Sequence, residues 1–278
     1  MPDEKVLQVA ILIWGCAFCA IAALCIFLSS NYDREKRRYL ILMESFASLL
    51  LLMDAMAHIF IGYPGVPGSM MVRISSFLVF LLSDVVLVCF HIYVCVYLFS
   101  KKERRTLKRV KAGYVIAAAG AVFVVISQFT HWYYYIDVDN YYHRAPLYIM
   151  SILLSAAGLL IDLTLLLQYK KRVSRKLLFS MLSCIVLPAV AAAVQAFWYG
   201  ISLIDFSVGI SMIIMFIVTM TELNQEMYQL ISREGKIKER LEIATILNKC
   251  IAELISGEDE DAAVSYTHLR AHETLSDL

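Results

Sequence analysis

The fold is decided by residues 70–99, MMVRISSFLVFLLSDVVLVCFHIYVCVYLF, a nearly uncharged stretch that contains only Arg73, Asp84 and His91 as acidic or basic residues. It is long enough to cross a bilayer, whose hydrocarbon core needs about 20 helical residues. Its many Leu, Ile, Val and Phe residues each favour insertion by roughly 0.3–0.6 kcal/mol, which outweighs a cost of about 2.5–3.5 kcal/mol for one central aspartate. We therefore predict a transmembrane helix here.

This stretch is followed at once by a strongly basic one, KKERRTLKRVK at residues 101–111, with Glu103 as its one acidic residue. Basic segments next to membrane spans stay on the cytoplasmic side of the bilayer. The sequence therefore predicts that the end of this span at Phe99 faces the cytoplasm.

The composition of the whole chain is that of a membrane protein, with 60% hydrophobic residues, 18% charged residues and a mean hydropathy of +0.69. Seven spans are predicted, at residues 6–28, 39–61, 70–99, 112–130, 147–168, 177–197 and 201–221. If the N-terminus lies outside, the three inner loops hold 4, 7 and 5 Lys or Arg, while the outer side holds only Lys5, Arg73 and Arg144. The predicted fold is an all-α polytopic membrane protein, a seven-helix bundle with its N-terminus outside.

Ionisable side chains within the predicted spans mark candidate functional positions, because they are costly in a bilayer. One group lies in the outer part of the spans: Asp54, His58, Arg73 and Asp205. A second group lies midway or deeper toward the cytoplasm: Glu44, Asp84, His91 and Asp162. We interpret the outer group as candidate ligand-binding residues and the inner group as a candidate transmission relay. The alternative is that both groups only hold the helices together by hydrogen bonds and ion pairs.

The longest outer loop, HWYYYIDVDNYYHR at residues 131–144, is unusually rich in aromatic and charged residues. Tyr and Trp are expected where a membrane protein meets the lipid headgroups. The same residue types also suit the mouth of a small-ligand site, in which aromatic rings stack and charged groups orient the ligand. The candidate ligand-binding residues here are Tyr134, Asp137, Asp139, Tyr142, His143 and Arg144. We expect no metal, no cofactor and no nucleic-acid partner.

Beyond the seventh span the pattern changes to heptads of apolar residues among Glu, Lys and Arg, which is typical of a coiled coil. The a/d positions are all apolar except Glu234 and Asn248, and Gly235 weakens the pattern in the middle. This cytoplasmic coiled-coil-like helix predicts a homodimer joined along residues 223–255. The alternative is an amphipathic helix lying on the membrane surface.

Several short motifs resemble the seven-helix sensor regions of Firmicutes-type bacterial signalling proteins: RRYLILME (37–44), GYPG (62–65), VRIS (72–75), SD (83–84), YYHR (141–144) and YGISL (199–203). The resemblance implies a sensor domain at residues 1–222 and a signalling helix at 223–246. It further implies a cytoplasmic output domain, most often a GGDEF diguanylate cyclase or a histidine kinase. Residues 247–263 resemble the first helix of a GAF domain.

The last residues have a different origin. VSYTHLRAHET, at residues 264–274, resembles the translation of adapter DNA used in sequencing libraries. We therefore interpret 264–278 as an adapter-derived artefact and expect the natural protein to be truncated near Ala263. Residues 1–263 contain no phosphate-binding loop, nucleophile triad or phosphoacceptor motif, so whether the parent protein is an enzyme depends on its output domain.

Two function hypotheses follow. The first is a membrane sensor that passes an outside or membrane signal through its seventh span to the output domain, most often a diguanylate cyclase and alternatively a histidine kinase. The second is a seven-helix transporter, which predicts internal repeats and helices broken at matching places. Pro188 is the one proline inside a predicted span, and the sequence shows no internal repeat.

The predicted topology can be tested with reporter fusions. Reporters placed after Lys36, Lys108 and Lys171 should report the cytoplasm, because each lies in a basic loop, and those after Pro67 and Asp139 should report the outside. Alkaline phosphatase and green fluorescent protein fusions measure the two sides independently. One reversed pair would overturn the seven-span threading.

Overall fold

The structure is a computed structural model that describes residues 2–29, 33–197 and 202–256. The adapter-like segment, the last part of the predicted GAF-like start and the first three residues of the YGISL motif lie outside the described residues. The described residues contain seven helices that are long and apolar enough to cross a membrane. The predicted all-α fold of a multi-pass membrane protein is confirmed.

Eight α-helices and one short 3₁₀ helix at Lys170–Arg172 make up the described fold, together with two short strands. The helices are α1 (Pro2–Leu28), α2 (Arg34–Phe60), α3 (Val66–Leu98), α4 (Lys101–Thr106), α5 (Lys108–Thr130), α6 (Tyr148–Gln168), α7 (Arg175–Phe197) and α8 (Leu203–Ser256). The strands are β1 (Tyr134–Ile136) and β2 (Tyr142–Arg144). Seven of these helices correspond to the predicted spans, and α4, the 3₁₀ helix and the strands lie in the connections between them.

The helix boundaries follow from capping chemistry. The Asp33 side chain accepts hydrogen bonds from the backbone N–H groups of Glu35 and Lys36, which begins α2 five residues before the predicted span. The Pro/Gly segment 62–68 lies between the second and third predicted spans, and α3 begins within it, at Val66. Pro67 is tolerated there because the first turn of a helix leaves its N–H groups unpaired in any case.

The predicted basic loop at residues 101–111 is mostly helical. Ser100 and Glu103 form a capping box that begins α4, and Glu103 also contacts Arg172 at 3.2 Å. The hydrogen bonds from the Ser100 backbone and side chain, with Arg172 beside them, hold the pKa of Glu103 below its ordinary value. Arg104 of α4 pairs with Glu35 of α2 at 2.9 Å. These contacts link α2, α4 and the connection after α6 at one end of the bundle, which we call the basic end (Ser29, Asp33 and residues 99–107 and 169–174).

The aromatic loop contains a β-hairpin that the sequence analysis did not predict. Strands β1 and β2 pair antiparallel, with Tyr134 opposite Arg144 and Ile136 opposite Tyr142. The hairpin lies at the same end of the bundle as the turn between α2 and α3. We call this the hairpin end (residues 61–65 and 131–147).

Helix α3 lies at the centre of the bundle, where it packs against α2, α5 and α6. Two glycines of α5 make its close approach to α3 possible. A Cβ atom at Gly113 would fall on the His91 ring, and one at Gly120 would lie 2.9 Å from the Asp84 Oδ2 atom. Because both glycines and both polar residues are seven apart, they repeat on one face of each helix. Small residues are typical of such close contacts between membrane helices.

The chain divides into two compact units, with the boundary after Glu222. The first unit is the helix bundle. In the second unit, α8 continues as helix to Ser256, and its large apolar side chains are exposed, among them Leu230 at 62%, Ile237 at 65% and Leu241 at 68%.

Substitution of the α5 glycines tests this packing. Gly113→Ala should destabilise the bundle by about 1–3 kcal/mol, because the added methyl group overpacks the contact with His91. His91 has little room to move, since Asp162 and the Val110 carbonyl oxygen hold both its ring nitrogens. Thermal unfolding in detergent, followed by far-UV circular dichroism, measures the loss.

The matched control is Gly235→Ala in α8, where no atom lies within 4 Å of the added Cβ. Alanine is preferred to glycine inside a helix by about 0.5–1 kcal/mol, so this variant should be neutral or slightly more stable. Equal destabilisation by both substitutions would show that the Gly113 contact with His91 has no special role.

Candidate functional site

A cavity of about 1510 Å³ lies in the first unit, between the hairpin end and the middle of the bundle. All seven membrane-spanning helices and the hairpin contribute to its wall, which is mainly apolar with a limited number of polar side chains. Cavities of this kind are the usual sites of small-molecule binding. Seven of the ten predicted ligand-binding residues line it: Asp54, His58, Asp137, Tyr142, His143, Arg144 and Asp205.

One polar cluster joins α1, α2 and α8 on the cavity wall. The His58 Nε2 atom lies 2.9 Å from both the Gln8 amide nitrogen and the Ser202 hydroxyl, and 3.6 Å from the Asp54 carboxylate one turn earlier. The buried carboxyl groups of Asp54 and Asp205 are neighbours. Two neighbouring carboxyl groups repel each other when both are ionised.

A second cluster is built on the hairpin turn. Asp137 Oδ1 accepts hydrogen bonds from the backbone N–H groups of Asp139 and Tyr141, and its Oδ2 atom lies 2.7 Å from His143 Nε2. The Tyr141 N–H and then the His143 side chain hold the pKa of Asp137 below its ordinary value. Asp137 is therefore an ionised carboxylate that organises the turn.

The hairpin is docked onto the turn between α2 and α3. Asn140 adopts a left-handed backbone conformation (φ 64°), its side-chain amide donates to the Tyr63 carbonyl oxygen at 2.8 Å, and its own carbonyl accepts from the Gly62 N–H at 3.1 Å. Gly62 has a φ of 73°, and a Cβ there would lie 2.9 Å from the Tyr141 ring. Only glycine combines that conformation with that contact. These bonds fix the hairpin as part of the cavity wall.

Arg144 links the hairpin to two further helices. Its guanidinium lies 4.6 Å from the centre of the Tyr148 ring in α6, and it donates to the Gln195 carbonyl oxygen in α7 at 3.2 Å. The Gln195 side chain in turn accepts a hydrogen bond from the Ile204 N–H at the start of α8. Direct contacts therefore connect Arg144 to the first turn of α8.

The other three predicted ligand-binding residues do not line the cavity. Arg73 and Asp139 are exposed on the surface. Tyr134 is buried behind the wall, stacked on Phe80 at 5.2 Å and on Tyr142 at 5.4 Å between ring centres. Tyr134 therefore supports the wall.

The four residues predicted to form a transmission relay are dispersed. Asp84 lines the cavity. His91 and Asp162 form a buried contact of 2.5 Å between α3 and α6, and the second ring nitrogen of His91 lies 3.0 Å from the Val110 carbonyl oxygen in α5. This pair, which we call the His91–Asp162 lock, holds three helices together below the cavity.

Glu44 is separate from both the cavity and the lock. It is fully buried, and its carboxyl group lies beside the Cys19 thiol of α1. Its two carboxyl oxygens have no hydrogen-bond partner among the described residues.

Several residues of the cavity wall were not predicted. Gln8, Gln195 and Ser202 are uncharged, and nothing in their spacing separates them from other polar residues near the ends of spans. Tyr133 was part of the aromatic loop, but only the hairpin places its hydroxyl inside the wall. Within residues 2–29, 33–197 and 202–256, no group of three or more His, Cys, Asp or Glu is arranged to hold a metal ion.

Comparisons of the chain with known protein families, with curated proteins and with solved structures found no match.

The hairpin turn is expected to depend on Asp137. Asp137→Ala should speed hydrogen exchange throughout residues 134–144, because it removes the acceptor of two backbone N–H groups and the partner of His143. Asp139→Ala, its exposed neighbour, should leave exchange nearly unchanged. Equal exchange in the two variants, measured by mass spectrometry, would show that the turn does not need this carboxylate.

The same bonds predict a pH dependence. Because the pKa of Asp137 is lower in the folded hairpin than in an unfolded one, its contribution is complete above the ordinary aspartate pKa of about 3.9 and is lost as the pH falls through the lower folded value. Exchange protection, corrected for the intrinsic rate, should therefore hold from neutral pH to about pH 4 and decline only below it. A decline near neutral pH would contradict this assignment.

Proposed function

We propose that this chain is the membrane input domain of a bacterial signal-transduction protein. A small ligand that enters the cavity at the hairpin end would change the position of α8, which would pass the change to a cytoplasmic output domain. The observation that carries this proposal is that the first turn of α8 forms part of the cavity wall, while the same helix runs without a break to Ser256.

The contacts at the start of α8 give the proposal a physical route. Asp205 and Ser202 belong to the polar cluster with Asp54 and His58, and the Ile204 N–H is bonded to Gln195. A ligand that contacts this cluster would bind more tightly when α8 is in one position than when it is in another. Such a difference in affinity shifts the equilibrium between the two positions. Small displacements of one helix against its neighbours are a common form of such a switch.

Small residues mediate contacts of the membrane part of α8 with α7 and α2. The Ser211 hydroxyl lies 3.3 Å from the Ser183 carbonyl oxygen, and Gly209 lets the Leu51 side chain approach within 3.2 Å of where a Cβ would be. Small residues at such contacts let membrane helices approach each other closely.

In the proposed arrangement the protein resides in the bacterial plasma membrane, with its N-terminus and hairpin end outside and its basic end in the cytoplasm. The concentration of Lys and Arg at the basic end supports this orientation. The output domain is proposed to be a GGDEF diguanylate cyclase, as in the family that the sequence resembles, or alternatively a histidine kinase.

A transporter is the second candidate, because the cavity reaches the middle of the bundle, where transporters bind their substrates. Among the described residues, however, each span is one continuous helix, and α7 continues past Pro188. The discontinuous helices that transporters use at such sites are not present in the described ranges. These observations favour the sensor.

We further propose that the working unit is a homodimer joined along residues 223–255. Leu230, Ile237 and Leu241 are more than 60% exposed in the single chain. Burying a side chain of this size contributes about 1.5–3 kcal/mol. A second copy of α8 would cover this seam, and both proposed kinds of output domain work as dimers.

The proposed function can be tested with a fusion of residues 1–252 to a diguanylate cyclase catalytic domain. Insertion of two alanines after Gly235 rotates the following part of α8 by about 200°, whereas insertion of seven rotates it by almost whole turns. The first insertion should change cyclic di-GMP output several-fold, and the second should restore it. In a control fusion, a flexible Gly/Ser segment replaces 235–246, and neither insertion should change cyclic di-GMP output. If the insertions also leave the output of the helical fusion unchanged, transmission by α8 is refuted.

Cysteine cross-linking in native membranes tests the dimer in the same fusion. Strong cross-links are expected at Leu230, Ile237 and Leu241, and weak ones at the adjacent outward positions Ile231, Lys238 and Glu242. Equal cross-linking at all six positions, or none, would mean that α8 does not pair along this seam.

A further inference from the structure

One carboxyl group on the cavity wall, that of Asp84, has no partner among the residues that the structure describes. Asp84 lies in the middle of α3, half-buried, and Gly120 of α5 leaves room for its Oδ2 atom. Among the described residues no hydrogen bond or ion pair involves its side chain, which distinguishes it from the other acids of the wall. Asp137 pairs with His143, and Asp54 lies between His58 and Asp205. Asp84 therefore offers a free hydrogen-bond acceptor to whatever occupies the cavity.

A second group without a partner lies close to Asp84. The Tyr133 side chain is 1% exposed and lines the cavity, and its hydroxyl makes no hydrogen bond with the described residues. Burial and then the nearby Asp84 carboxylate raise the pKa of the Tyr133 hydroxyl, so the hydroxyl keeps its proton at neutral pH. A buried hydroxyl and a carboxylate that both lack partners are costly unless a ligand or water completes them.

The wall around these two groups is aromatic. The Phe80 ring lies 5.9 Å from the Tyr133 ring and 6.3 Å from the Tyr148 ring, measured between centres, and all three line the cavity. Aromatic faces attract cations, most strongly where water is excluded. Leucines of α6, among them Leu159 and Leu163, extend the wall with apolar surface that suits the body of an organic molecule.

The charged side chains of the wall also favour a cation. Its fixed cations are Lys5, whose ammonium lies 3.4 Å from the Ile61 carbonyl oxygen, and Arg144, which lies over Tyr148. Four carboxyl groups line the same cavity: Asp54, Asp84, Asp137 and Asp205. A cation placed beside Asp84 would supply the counter-charge that this side chain lacks, whereas an anion placed there would be repelled by it.

We propose that the cavity binds a small organic cation, a protonated amine with an apolar or aromatic body, whose ammonium group donates to Asp84 and lies among Phe80, Tyr133 and Tyr148. This rests on the proposed sensor function and names the chemical class of its ligand. The Tyr133 ring borders the same end of the ligand, and the leucines of α6 contact its body. Asp84 is thus a ligand-binding residue, although the sequence placed it in the transmission group.

The test measures binding to the full 278-residue chain in lipid nanodiscs by isothermal titration calorimetry. The probes are 2-phenylethylamine and tryptamine, compared with 2-phenylethanol and 3-phenylpropanoate, which have a similar body but are neutral or anionic. Saturable binding is expected for the amines, with the alcohol and the carboxylate at least about tenfold weaker, because a charged hydrogen bond is lost. Equal binding of amine and alcohol, or no binding of either amine, overturns the proposal.

Variants locate the site. Asp84→Asn should weaken amine binding at least about tenfold, and Asp84→Glu should retain part of it. Asp139→Asn removes an exposed carboxylate of the hairpin outside the cavity and should change nothing. Unfolding midpoints without ligand show whether each variant is folded, and unchanged amine binding by a folded Asp84→Asn variant overturns the proposal.

The outcome is distinguishable from failure of the sensor proposal itself. If amines do not bind but the α8 insertions still change output in the cyclase fusion, the ligand class is wrong and the sensor stands. If amines bind through Asp84 but the insertions have no effect, the cavity is a cation site and the transmission proposal fails.

Discussion

The hydrocarbon core of a bilayer offers no hydrogen-bond partners, and this constraint shapes the whole molecule. Each backbone N–H and C=O group within the membrane must be paired inside its own segment, so the spans are continuous helices. The irregular backbone and the two strands lie at the ends of the bundle, where side chains complete their hydrogen bonds. Asp137 and Asn140 do this for the hairpin, and Ser100 and Glu103 for the start of α4.

The same constraint governs the polar side chains inside the bundle, which fall into three environments. His91 and Asp162 pair with each other and join α3 to α6, although one Asp162 oxygen has no hydrogen-bond partner among the described residues. The acids of the cavity wall face an open volume. Glu44 lies near the thiols of Cys19 and Cys184. A carboxyl group in such surroundings is far more costly as an anion than as a neutral acid, which makes Glu44 a constraint on how α1 and α2 pack.

Sequence reasoning succeeded where one strong physical term dominates. The seven spans follow from hydrophobicity and length, and residues 70–99 were sufficient to locate α3 within four residues at its start and one at its end. The hairpin was missed because its strands are three residues long and their stability comes from docking on Gly62 and Tyr63, a contact between segments distant in sequence. The start of α2 was also missed, because the apolar residues alone located the span. The Asp33 side chain begins the helix before that stretch by accepting hydrogen bonds from backbone N–H groups.

The candidate site shows why helical periodicity alone does not assign roles. Asp84 and His91 are seven apart and face the same helix, α5, as their spacing predicted. Their roles differ because of what the other helices bring: α6 supplies Asp162 opposite His91, whereas the hairpin and α6 leave an open space opposite Asp84. Two turns of α3 thus separate the closed contact at His91 from the open cavity at Asp84. Periodicity identifies which helix face is shared, and only the neighbouring elements determine whether a polar group on that face is satisfied by the protein or left for a ligand.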